Sequence, residues 1–166
     1  MIDLLREVYG FHAWARGRVL EAAERVPFEG LRRPMLVPGG NEDGSLHATL
    51  SHLAAAEAHW LARWQGDAEN QLRGGAGFAN LDAIARVWQA ADDGMLALLE
   101  QSPDLARPVR YFRHSIGAFD EQPLWQQLLH VSNHTTHHRA EACAALTALG
   151  SAPHSVDFID YVRQKQ

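Results

Sequence analysis

Apolar residues return along this chain at helical intervals. Over residues 2–25, Leu4, Val8, Phe11, Ala15 and Val19 form one stripe at the spacing of an amphipathic helix, which ends before Pro27. Residues 27–44 carry Pro34, Pro38 and Gly39-Gly40, a long punctuated connection, and Asn41 to Ser45 supply turn and cap residues for the next helix. That second helix is expected over 45–65, with Leu46, Leu50, Leu53, Trp60, Leu61 and Trp64 as its stripe. Glu57 interrupts that stripe, and a carboxylate buried there needs a partner, either an arginine or a ligating imidazole that it orients. His52 and His59 share a second face beside Ala48, Ala55 and Ala56, small residues that let another helix come close. His47 falls elsewhere on the wheel and is expected to be exposed.

Residues 66–80 form a polar glycine-rich loop, and a phosphate-cradling role fails because no Gly-Lys-Ser/Thr follows. A third helix spans 81–101 through Leu81, Ile84, Val87, Trp88, Ala91, Met95, Leu98 and Leu99. Between Pro103 and residue 119, Val109, Tyr111 and Phe112 with the later Gly117 favour a short hairpin or ordered loop. A fourth helix is expected from Asp120 to Leu149, with Asp120 and Glu121 at its positive end and Gly150 and Pro153 after it. Its stripe is Leu124, Leu128, Val131, Thr135, Ala142, Leu146 and Leu149. Residues 155–163 suit a short terminal helix, around which Asp157 and Asp160 cap or pair. The pattern predicts an all-α fold: one four-helix-bundle domain over 1–166, with long connections and a short C-terminal helix.

Composition narrows the function classes. With 166 residues and a net charge of −5, the chain is a globular domain without the basic stripe of a nucleic-acid binder. No apolar run approaches the roughly 20 residues of a membrane span, and no basic-then-apolar leader opens the sequence. The single Cys143 excludes an internal disulfide and fits a reducing, cytoplasmic setting. It lies about 140° round the helix from His138 and reads as a small packing residue. Trp60, Trp64, Trp88 and Trp125 are expected in the core or a pocket wall.

The chemistry concentrates in one stretch. Residues 130–138 hold four of the ten histidines, His130, His134, His137 and His138, inside the fourth helix. His134 and His138 stand four residues apart near the apolar stripe, a spacing that lets two imidazoles point at one ion. His130 lies further round and could supply a third donor; His137 faces further out still. Thr135 follows His134, so the His-Glu-x-x-His of zinc proteases is missing. The Glu-x-x-His pairs of di-iron bundles are missing too. His12, alone on the first helix, reads as a packing residue. Arg139 reads as an ion-pairing or hydrogen-bonding residue.

The run His134-Thr135-Thr136-His137-His138-Arg139-Ala140-Glu141, continuing to Ala145-Leu146-Thr147-Ala148-Leu149-Gly150, resembles the DinB-like (YfiT-like) superfamily. So do Ser51-His52-Leu53-Ala54-Ala55-Ala56-Glu57 and the closing Asp157-Phe158-Ile159-Asp160-Tyr161. The resemblance implies a four-helix bundle with a divalent metal held by His52, His134 and His138. The common form of the motif has Gly-Gln where this chain has Ala140-Glu141, which weakens any expectation of a polar supporting role at position 141. Three imidazoles suit zinc or nickel, and also iron or copper. Relatives include transferases and isomerases that use small thiols, and others described as metal-dependent hydrolases. The resemblance therefore favours a thiol S-transferase acting on a small electrophile. A hydrolase, or a non-catalytic metal-binding bundle, is the alternative. Dimers are common in the family, and a homodimer is compatible with this sequence.

Overall fold

The structure, a computed structural model, describes residues 1–35, 44–70, 78–101 and 103–166. The expectations for Pro38, Gly39 and Gly40, for Asn41 to Asp43 and for Gly74, Gly75 and Gly77 lie outside these residues. The elements run α1 (Ile2–Glu24), α2 (Phe28–Leu31), α3 (Leu46–Trp64), α4 (Leu81–Glu100), β1 (Pro108–Arg113), β2 (Ala118–Pro123), α5 (Leu124–Ala148) and α6 (Phe158–Gln164). The four long helices form the bundle that the periodicity predicts. Ser45 and Asn80 cap α3 and α4 by accepting from the backbone N–H groups of Ala48 and Ala83. Gly150, at φ +76°, ends α5 while the Ser151 N–H returns to the Leu146 carbonyl at 2.9 Å.

Side-chain contacts fix the directions. Tyr9 meets Leu128 and His12 meets Ser132, so α1 and α5 are parallel. Arg6 reaches the Leu99 carbonyl and Arg16 reaches Asp92, so α4 runs against α1. His52 meets His134 and Trp64 meets Gln127, so α3 runs against α5. Around the bundle the order is α1, α4, α3, α5, which puts the first two long helices, α1 and α3, on a diagonal. That arrangement requires long connections.

The interior is layered. One apolar half gathers Val19, Leu50, Leu53, Ile84, Trp88 and Leu146; the other gathers Leu5, Tyr9, Trp64, Met95, Leu99 and Leu128. On every long helix the step between the halves is polar: His12 and Arg16 on α1, Glu57 on α3, Asp92 on α4, Thr135 and Arg139 on α5. Buried polar groups of this kind persist only when partnered. The Arg16 Nε lies 2.8 Å from Asp92, Thr135 donates to Glu57 at 2.7 Å, and Arg139 donates to His12 Nδ1 at 2.8 Å. His12 is thus a packing residue with polar partners, and Arg139 a hydrogen-bonding one whose guanidinium also covers the Phe11 ring.

Several expectations need correction. Leu4 is 65% exposed, because Leu5 takes the inward position one residue on, in register with Tyr9. His47 is buried: α2 folds over it, and Phe28 packs edge-on against its ring. The fourth long helix begins at Leu124, not Asp120. Residues 118–123 instead pair with 108–113 as an antiparallel hairpin, with Tyr111 opposite Asp120 and Phe112 opposite Phe119. Asp120 accordingly meets Arg113 across the strands at 3.3 Å, and not a helix end. Trp125 sits on the outside of the first turn of α5, where Leu124 takes the core position. Asp157 stands at the start of α6 without a side-chain cap, while Asp160 pairs with Arg163. Among the described residues, no helix is long and apolar enough to cross a membrane.

Candidate metal centre

α3 and α5 cross with their histidines facing one another beside the polar layer. His52 comes from α3, one turn and a half from Glu57; His134 and His138 come from successive turns of α5. The Thr135–Glu57 hydrogen bond ties the two helices together next to His134. Each of the three imidazoles offers one nitrogen, and these nitrogens all lie within 4.8 Å of one another. The shortest separation, His52 Nε2 to His134 Nε2, is 2.9 Å. The ring centroids form a compact triangle with sides of 4.9, 4.7 and 4.5 Å.

The residues fit a divalent ion on the chemistry of their donors. A tetrahedral site with metal–nitrogen bonds near 2.0–2.1 Å separates its ligand atoms by about 3.3 Å, a few tenths of an ångström from the shortest separation here. The ligating form of histidine is neutral, and burial favours it. Burial first, then the neighbouring His138 and His52, push the His134 pKa down to about 3. His52 is lowered by burial and by His138, against a smaller opposing influence of Glu141.

A supporting residue stands at position 141, where the departure from the common motif gave no reason to expect one. Glu141 Oε2 lies 2.6 Å from His138 Nδ1, and a carboxylate can only accept, so Nδ1 carries the proton and Nε2 keeps its lone pair. The signal was the position itself, three residues beyond His138 on one helix face. The other carboxylate oxygen is 3.2 Å from His137 Nε2. Among the described residues, the groups able to hold an ion are His52–His134–His138 and the overlapping His137–His138–Glu141. His130 joins neither; it is exposed, packs edge-on against Trp60, and its ring stands 6.2 Å from that of His134. Among the described residues Glu57 bonds to no imidazole and no arginine. Its partners are Thr135, Trp88 and Asp92, and the Arg16 charge also favours its ionised form. Burial raises the pKa of Cys143, which keeps this lone thiol protonated.

A family model described as the DinB family matches residues 1–166. No curated protein matches the chain. Among solved structures, one from Bacillus subtilis, described as "YfiT … a probable metal-dependent hydrolase with an unusual four-helix bundle topology", superposes with a TM-score of 0.61. It is 17% identical, over 91% of this chain and 86% of that one. At that identity the likeness speaks to the fold.

Proposed function

The chain belongs to the DinB family, and from that premise we propose that it is a divalent-metal-dependent enzyme acting on a small molecule. Its ligands are His52, His134 and His138. The convergence of three half-buried imidazole nitrogens within 4.8 Å carries the reading. Three protein donors leave coordination positions open, as catalytic sites do and closed structural sites do not. A bound divalent ion supplies Lewis acidity, enough to make a nucleophile of a neighbouring water or thiol near neutral pH.

The chain's own residues prepare that position. Glu141 holds the His138 ring and fixes its tautomer, Thr135 and Glu57 keep α3 and α5 in register, and burial keeps His134 unprotonated. Water is the nucleophile we favour, which makes the enzyme a hydrolase, in keeping with the description of the YfiT structure. The second reading is transfer of a small thiol to an electrophile. One observation bears on it: Cys143, the chain's only thiol, is half-buried with a raised pKa, so the thiol must come as cosubstrate. Zinc or nickel is the favoured ion. A cytoplasmic, homodimeric protein completes the reading, supported by the single cysteine and by the exposed apolar side chains Leu4, Leu129 and Ile159.

Metal content of a native preparation, compared with His52→Ala, His134→Ala, His138→Ala and His130→Ala, tests the ligand set. The first three are expected to lose the ion and the last to keep it. Unchanged stoichiometry and affinity in His52→Ala rules the assignment out. Ester or amide hydrolysis lost to a chelator and restored by the ion favours water. Chelator-sensitive conjugation of a cellular thiol favours the second reading.

A further inference from the structure

A cleft of about 590 Å³ opens where the hairpin passes the C-terminal half of α3. Arg63, Trp60 and Tyr111 form its inner wall, and His59, His114 and His130 stand around it. Arg63 is the unusual member. Its side chain is 7% exposed, and its guanidinium lies 4.9 Å from the Trp60 ring centre and 4.6 Å from that of Tyr111. One nitrogen donates to the Phe112 carbonyl at 2.9 Å, while the buried Nε has no partner. Among the described residues no carboxylate pairs with it. Arg113, the other arginine on the cleft, is already matched by Asp120 at 3.3 Å.

An arginine keeps its charge even when buried, and a buried charge is costly unless paired. The Phe112 carbonyl, two aromatic faces and the C-terminal end of α3 offset part of that cost. None supplies a full negative charge. Among the described residues no aspartate or glutamate lines the cleft; Asp67 lies behind Asn70, which holds His59 at 2.7 Å from its Nδ1. The wall is therefore cationic and aromatic.

The cleft lies along the same two helices, α3 and α5, as the histidine triangle. Positions 52, 59 and 63 of α3 fall close to one face, and eleven residues of helix rise about 16 Å. His130, one turn before His134 on α5, packs against Trp60 with ring centres 5.3 Å apart and so bridges the two regions. A second, smaller cavity of about 230 Å³ shares Trp60, Tyr111 and His130.

We propose that this cleft seats the anionic end, a carboxylate or phosphate, of an elongated substrate whose reacting bond lies at the histidine triangle. Arg63 binds the anion there. Trp60 flanks the apolar middle of the molecule, and anion and reacting bond stand roughly 16 Å apart along α3. This rests on the function proposed above, and it adds the substrate class.

The test is anion binding to metal-loaded protein, with inorganic phosphate in one arm and the dicarboxylate glutarate in the other. Chemical shifts, the Trp60 indole N–H resonance among them, are the readout, and metal content is measured on the same samples. The wild type is expected to take up one anion at millimolar concentration, with the tighter arm identifying the source. Arg63→Gln should weaken it at least about tenfold, as loss of a charge-assisted contact does. Arg63→Lys should restore part of the affinity, and Arg110→Gln, on the exposed hairpin strand, should change nothing. Metal content should stay constant throughout, so a failure of the anion site is distinguishable from a failure of the metal site. Absence of binding in both arms of the wild type overturns the proposal without reference to any variant. Equal affinity in Arg63→Gln, or an equal loss in Arg110→Gln, overturns it as well.

Discussion

The contact between His138 and Glu141 yields a quantitative expectation for metal affinity. At 2.6 Å, with the Glu141 side chain 11% exposed, it belongs to the charge-assisted class. Such bonds contribute about 1.5–3 kcal/mol. If that energy orients His138 for the ion, Glu141→Ala weakens the ion's Kd by roughly 10- to 100-fold, the range for residues that support a ligating histidine. Glutamine still accepts the hydrogen bond but carries no charge, and neutral hydrogen bonds are roughly half as strong. Glu141→Gln should therefore lose about 3- to 10-fold. His137 shares the same carboxylate at 3.2 Å but is 67% exposed, so His137→Ala should move the Kd by less than about twofold. Competition against a chromophoric chelator measures all three, with circular dichroism melts to verify folding. A folded Glu141→Ala protein that binds the ion as tightly as wild type refutes the reasoning. It would mean that His138 is held by helix packing alone.

Two stability measurements probe the frame around the site. Glu57 and Asp92 are buried in hydrogen-bond reach of each other. Burial, then their mutual repulsion, raises the pKa of Asp92 to about 9, while Arg16 opposes the shift. A folded-state pKa above the unfolded value gives stability that is complete below about pH 4 and drains away as pH rises toward 9. The slope reaches up to about 1.4 kcal/mol per pH unit for one proton. Urea unfolding between those limits should show that fall, and Asp92→Asn should flatten it; an unchanged slope in the variant contradicts the shared-proton arrangement. Two glycines should respond oppositely to alanine. Gly44 has φ +63°, and a Cβ there meets the Met35 carbonyl oxygen at 2.8 Å, so Gly44→Ala should cost about 1–3 kcal/mol. Gly17, inside α1 with open space around it, should gain about 0.5–1 kcal/mol on the same change. Urea midpoints for the two variants moving in the same direction would count against both.

The bundle was legible because each long helix carries its own period, and packing sets that period over many residues at once. Errors arose where the deciding contact was distant or the local chemistry ambiguous. Leu4 and Leu5 are equally apolar, and only the position of Tyr9 against Leu128 selects between them. His47 is covered by Phe28, which stands in a stretch that reads as connection. Asp120, Glu121 and Pro123 are good helix-start residues, yet the ladder with 108–113 claims them first. At the site, the i, i+4 spacing of His134 and His138 pointed inward from sequence alone. His52 came from the family resemblance, since nothing local says which helix lies opposite. The polar layer escaped notice as a unit because it takes a residue or two from each of four helices, and only their stacking makes it one.

His52 and His134 meet from 82 residues apart in the sequence, and α4 and the whole hairpin lie between them. During synthesis the first donor therefore waits, exposed, until the last long helix has formed and docked against it. A chain stopped before α5 owns one imidazole of the triangle and cannot form the site. On the ligand set proposed above, ion capture would be a signal of completion, available only to molecules whose early and late halves have found each other. A captured ion would favour the docked state over every partly assembled one, because only that state binds it. It would act as a latch between the first half made and the second.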